Sequence, residues 1–150
     1  MAVSTIALVA HDHQKAALIA WAKKHKTILA QHQLLATGTT GSLIAKAIDL
    51  PVHQFLSGPL GGDLQIGAAI AESRIDMLVF FWDPLESMPH EPDIKALLRV
   101  AALYNIPVAC NETTADYLVA SPLMHTPYEI HLAALNDAQS PTRYIPGASL

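Results

Sequence analysis

The sequence has one cysteine, Cys110, in 150 residues, so no disulfide can close within the chain and a reducing compartment is expected. Charge is also scarce: charged residues make up 15% against 51% hydrophobic, with a net charge of −4. No basic cluster occurs beyond Lys23–Lys26, which suits the solvated end of a helix. Nucleic acid is therefore not expected as a partner. The N-terminal stretch MAVSTIALVAHDHQK has no basic leader, and its apolar run stops at His11. That is too short for a signal peptide or a membrane span, so no membrane partner and a cytoplasmic location are expected. No Gly/Ser linker, charge block, repeat or low-complexity segment interrupts the chain. This predicts a single domain over residues 1–150, with 121–150 as a C-terminal tail.

So much apolar residue with so little charge suits a central sheet covered on both faces, or burial of further surface in an oligomer. The patterning agrees. Apolar runs at Ile6–Ala10, Gln33–Ala36, Val52–Leu56, Met77–Trp82 and Pro107–Cys110, most of them with β-branched residues, read as strands. Between and after them, Gln14–Lys26, Ser42–Ala47, Leu64–Ser73, Ile94–Tyr104 and Thr113–Ala120 have helical period. Met77–Trp82, unbroken and rich in aromatics, reads as a central parallel strand. The alternation predicts an α/β fold: a three-layer α/β/α sandwich on a five-stranded, parallel, doubly wound sheet of Rossmann-like type. The tail from Ser121 holds several prolines and a short apolar stretch at Ile130–Leu132, with no assignable element.

In such a sheet, ligands bind beyond the carboxyl ends of the strands. The loops expected there are crowded with reactive groups: His11, Asp12, His13 and Lys15; Thr37-Gly38-Thr39-Thr40-Gly41; Ser57, Gly58, Gly61, Gly62 and Asp63; Asp83, His90 and Asp93; and Asn111. The opposite-end loops, such as Asp49–His53 and Ser73–Asp76, are ordinary. Each crowded feature has a plain reading beside a functional one. Asp63 opens a helix as a cap, or serves as a base. Thr37–Gly41 is a tight turn, or a phosphate cradle at a helix N-terminus with Lys15 adding charge. His11 and His13 could be a metal pair, though without a third ligand at recognisable spacing, and His90 is an exposed loop residue or a group of the site. Asp83 and Asp93 cap turns and a helix, or join the site. Cys110 reads as a small core residue, and Ser57 lacks a nucleophile elbow. A phosphate cradle beside carboxylates and a histidine suits proton transfer on a small phosphorylated compound.

The blocks IALVAHDHQK, LLATGTTG, LSGPLGGDLQIGA, FFWDPLESMPHEPDIKALLRVAALYNIPVACN and TAD together resemble the methylglyoxal synthase family from about Ile6 to about Ser121. The resemblance implies a lyase that converts dihydroxyacetone phosphate to methylglyoxal and inorganic phosphate, with no metal and no organic cofactor. It also implies a homohexamer, cooperativity and inhibition by phosphate. Carried over by residue, the catalytic groups are Asp63 and His90. Substrate and phosphate contacts fall on His11, Lys15, Thr37, Gly38, Thr39, Thr40, Ser57 and Gly58, and His90 serves the substrate oxygens. Asp12, Asp83 and Asp93 are the supporting carboxylates. The family's tail tends to supply an arginine near the phosphate, and Arg143, in unmatched surroundings, is the only candidate. Two rivals share the general architecture. An effector-binding module, like the regulatory domain of carbamoyl phosphate synthetase, needs the cradle but not Asp63 and His90. A receiver domain needs a lysine after the last strand, where VACNETT offers none.

Overall fold

The computed structural model describes residues 4–86 and 91–132 and, for the backbone alone, 142–145. Five parallel strands form one sheet in the order β3-β2-β1-β4-β5. They are β1 (Thr5–Ala10), β2 (Gln33–Thr37), β3 (His53–Phe55), β4 (Met77–Phe81) and β5 (Val108–Ala109). The helices between and after them are α1 (Lys15–Lys24), α2 (Lys26–Leu29), α3 (Gly38–Ile48), α4 (Gly62–Ala71), α5 (Glu91–Leu103) and α6 (Glu112–Ala120). This is the doubly wound α/β fold expected from the alternation.

The period-two projection of side chains from a strand builds two cores from the central pair. Ile6, Leu8 and Ala10 of β1, with Met77, Val79 and Phe81 of β4, face one side and pack with Leu18 and Trp21 of α1, Ile44 of α3 and Val119 of α6. Ala7 and Val9, with Leu78 and Phe80, face the other side and meet Ile66 and Ile70 of α4 and Ile94 and Leu97 of α5. Each of the Val, Leu, Ile, Met and Phe side chains among them stabilises the fold by roughly 1.5–3 kcal/mol on burial. Because both faces are covered, β1 and β4 are apolar throughout rather than alternating. The register Ile6↔Leu34 and Ile6↔Met77 leaves β1 between β2 and β4. The chain therefore winds outward from β1 in both directions, and in such sheets ligands bind beyond the carboxyl ends of the strands.

Several boundaries differ from the sequence reading. Helix α3 begins at Gly38 with Thr37 as its N-cap, so Thr39 and Thr40, expected in a loop, lie in its first turn. The long helix expected over Gln14–Lys26 breaks at His25, and α2 follows as a separate short turn. Helix α5 starts at Glu91 rather than Ile94, with Pro92 near its start, where the ring's fixed φ is tolerated, and Glu91 and Asp93 on the positive end of the dipole. The tail carries an unexpected hairpin: β6 (Tyr128–His131) pairs antiparallel with β7 (Thr142–Ile145) in a second, two-stranded sheet. It follows a 3-10 turn at Pro122–His125. Ile130 and Leu132 bury themselves in the core on the α4/α5 side, so the described start of the tail is part of the packed structure.

Candidate active site

A cavity of about 220 Å³ lies at the carboxyl edge of β1, β2 and β3. It is smaller than the roughly 300–1,000 Å³ that drug-sized ligands occupy, which suits a ligand of a handful of heavy atoms. Val9 and Ala10 at the end of β1 supply its apolar floor and Pro59 part of its wall. Sequence reasoning did not single these three out; the position of Val9 and Ala10 at a strand's carboxyl end was the available signal.

Three segments bring the polar groups to this space. From the β1–α1 loop come His11, Asp12 and Lys15; from the β2–α3 junction come Thr37, Gly38, Thr39 and Thr40; from the β3–α4 loop come Ser57, Gly58 and Asp63. Thr37, Thr40 and Asp63 are buried. Two glycines let these segments meet. Gly38 has φ +54°, and a Cβ there would stand 3.0 Å from the Ser57 Cβ. At Gly62 a Cβ would overlap the Leu56 carbonyl oxygen. Ser57 is thus pressed between the first turns of α3 and α4, and its carbonyl accepts the Leu60 and Gly62 N–H groups. The N-termini of α3 and α4 and the short 3-10 turn at Gly58–Leu60 all open on the cavity. Such ends favour anions, because their free N–H groups and dipoles point outward.

Lys15 adds the cation. Its Nζ lies 2.9 Å from Asp12 Oδ1 and 3.4 Å from Thr39 Oγ1. The Lys15 ammonium, by hydrogen bond and by charge, holds the Asp12 carboxyl below the usual carboxylate range. Asp12 therefore stays ionised and steers Lys15 along the cavity wall.

His11 is buried with its ring edge-on to Phe80, the centroids 5.2 Å apart. Its Nδ1 accepts a hydrogen bond from the Asp83 backbone N–H at 2.9 Å. A nitrogen that accepts carries no proton, so the neutral ring holds its hydrogen on Nε2 and is a donor there. Of the two histidines read as a metal pair, His11 is buried, while exposed His13 turns to Asp83 and Glu86.

Asp63 departs from the cap reading. Gly61 is the N-cap of α4, and Asp63 lies inside the first turn, 2% exposed, among the residues that line the cavity. Asp83 does not line it; Asp83 supports it from behind through the bond to His11, and its Oδ1 accepts the Leu85 N–H. Asp93 stands in the first turn of α5 and is not among the lining residues. Asn111, another crowded-loop candidate, caps α6 by accepting the Thr114 N–H at 2.9 Å. His90 lies outside the described residues. Arg143 falls on β7 by its backbone, with its side chain outside the description.

Comparison with known proteins agrees with this geometry. The family model described as MGS-like domain matches residues 17–110. A curated methylglyoxal synthase of Cellvibrio japonicus (strain Ueda107) is 62% identical over 124 residues, covering 83% of this chain and 80% of its own. One from Leptospira interrogans serovar Lai (strain 56601) is 56% identical over 135 residues, covering 90% and 91%. Among solved structures, the crystal structure of methylglyoxal synthase from Elizabethkingia anophelis NUHP1 superposes with a TM-score of 0.79 at 50% identity, covering 84% of this chain and 83% of that one. With the glycine-tightened cavity and the doubly wound sheet, identity of this order over most of the chain makes it a member of the methylglyoxal synthase family.

Proposed function

We propose that this chain catalyses the reaction its family is named for, eliminating phosphate from dihydroxyacetone phosphate to give methylglyoxal. The observation that carries the reading is a buried carboxylate, Asp63, in the same small cavity as two helix N-termini and Lys15. A base beside an anion cradle is what proton abstraction from a phosphorylated ketone requires.

In this reading the phosphate lies among the first turn of α3, Ser57, Gly58 and Lys15. Asp63 takes a proton from the hydroxymethyl carbon and leaves an enediolate. The His11 Nε2–H and His90 donate to its oxygens, stabilising charge where it develops. The phosphate ester C–O bond stands perpendicular to the enediolate plane, so its electrons leave with phosphate. The resulting enol becomes methylglyoxal. An isomerase acting on the same compound holds that bond in the plane, so the cradle governs product as well as affinity. Asp12 positions Lys15, Asp83 positions His11 through its backbone N–H, Asp93 is a further supporting carboxylate, and Arg143 is a contact to the phosphate. No metal or organic cofactor takes part.

The same reading extends to a single-domain, cytoplasmic, homohexameric enzyme inhibited allosterically by inorganic phosphate and acting as a glycolytic bypass. Exposed Leu56, Leu60 and Leu64 offer apolar surface that an oligomer would cover. The test is incubation of the pure protein with dihydroxyacetone phosphate, assaying methylglyoxal and phosphate together. Equal amounts of both, undiminished by EDTA, are expected. Binding of phosphate with no methylglyoxal would leave an effector-binding module instead. Loss of turnover in EDTA, restored by zinc, would make the reaction metal-dependent.

A further inference from the structure

We propose that His13, Asp83 and Glu86 form a second site, just outside the cavity, for a divalent first-row transition cation. His13 Nδ1 lies 3.3 Å from Asp83 Oδ2 and 2.9 Å from Glu86 Oε2. The donor atoms of all three lie within 4.8 Å of one another, the one such group among the described residues.

An ion pair explains this arrangement incompletely. Nδ1 can carry one proton, and two carboxylate oxygens converge on it; a divalent cation serves both acceptors and the nitrogen at once. The spacing fits. Bonds of roughly 2.0–2.2 Å set neighbouring donors about 3.0–3.5 Å apart around an octahedral or tetrahedral ion. Two carboxylates and a neutral imidazole also bring two negative charges to match the two positive ones.

The site is partly preorganised. Asp83 is buried, and its Oδ1 is held by the Leu85 N–H, which leaves Oδ2 as the ligand oxygen. Asp83 is also fixed through its own N–H to His11, so one ligand sits on a rigid support. His13 and Glu86 are exposed and need only side-chain rotation to adjust. The ligand chemistry selects the ion: one imidazole with two carboxylates favours Mn²⁺, Co²⁺, Ni²⁺ or Zn²⁺ over Mg²⁺, which prefers an all-oxygen shell. His13 also lies close enough to Asp12 to act on it by charge, and Asp12 is paired to Lys15. An ion here ties the β1–α1 loop to the chain leaving β4 and acts as a clamp outside the catalytic cavity, independently of the lyase reading.

The test is a calorimetric titration with Zn²⁺, and separately with Mg²⁺, in phosphate-free buffer at pH 7.5, with thermal unfolding alongside. One zinc ion per chain, no comparable magnesium binding and a rise in Tm at saturating zinc are expected. Glu86→Gln and His13→Gln, both at exposed positions, should each weaken zinc binding at least tenfold, because removing even an outer-shell partner costs about 10–100-fold. His125→Gln, far from the cluster in sequence, should leave it unchanged. No heat up to millimolar zinc would overturn the proposal. So would unchanged affinity in the Glu86→Gln/His13→Gln double variant, since the ion would then sit on other histidines.

Discussion

At the scale of single residues, Asp63 and Lys15 separate two functions that share one cavity. Asp63→Asn keeps the shape of the side chain and removes its basicity. Losing a carboxylate near a helix N-terminus costs only about 0.3–1 kcal/mol, so the variant should fold. Turnover at saturating substrate is expected to fall at least 10²–10⁴-fold, with Tm as the folding control. A rate above about a tenth of wild type would make Asp63 structural only. Lys15→Ala and Thr40→Ala test the cradle. Each removes a charge or a donor from a desolvated anion, and a bond of that kind contributes roughly 1.5–3 kcal/mol. Affinity for inorganic phosphate, read by calorimetry, should fall about tenfold or more in both variants. Unchanged affinity in both would move the anion elsewhere.

At the scale of elements, the site depends on how closely α4 approaches the β3–α4 loop. Gly62→Ala places a methyl group onto the Leu56 carbonyl, so the first turn of α4 must shift and carry Asp63 with it. Activity and Tm should both drop. Gly67→Ala, in the same helix with nothing within 4 Å of its new Cβ, is the opposite case and should stabilise by about 0.5–1 kcal/mol. Comparing the two melts separates backbone contact from helix propensity; equal shifts would refute the contact argument. The strands and the cavity loops were legible in the sequence because strong signals set them: β-branched apolar runs, and glycines crowded with hydroxyls and carboxylates. Other features rest on tertiary contacts that local pattern does not encode. Asp63 looked like a cap because Asp prefers that position, but close packing against Leu56 starts the helix at Gly62 instead. The break at His25 coincides with its bond to Asp116 on α6, 91 residues away in sequence. The β6–β7 hairpin was hidden because β6 buries only Ile130 of its four residues, too little for an alternation to show.

At the scale of the whole molecule, two groups remote from the cavity should govern how the fold responds to acid, and both act in one direction. Asp116 on α6 accepts from Trp21 Nε1 at 3.1 Å and bonds His25 Nε2 at 2.8 Å, joining α6 to α1. The His25 hydrogen bond, reinforced by Lys24 and Trp21, holds its carboxyl below the ordinary range. Its contribution is therefore present above the unfolded carboxylate value and is lost as pH falls through the lower folded one. His32 is half-buried, and its Nδ1 accepts the Ser4 N–H at 3.2 Å. Its Nε2 is buried without a hydrogen-bond partner among the described residues. Burial, aided by the charge of His125, pushes its imidazole below the ordinary value. The unfolded chain then takes up a proton near pH 6.5 while the folded chain resists, so stability begins to fall there as pH drops and stops falling below the folded value. Tm measured from pH 8 to pH 3 should hence decline along two limbs, one set by His32 and a more acidic one to which Asp116, with Asp12, contributes. His32→Gln keeps an acceptor for Ser4 and removes the proton site, so it should flatten the first limb and spare the second. Asp116→Asn should lower Tm at neutral pH and reduce the second. Since Asp116 is partly exposed, its limb should shrink in 0.5 M salt, whereas the desolvation-driven limb of His32 should persist. Parallel profiles for wild type and His32→Gln would mean that protonation elsewhere controls the acid response.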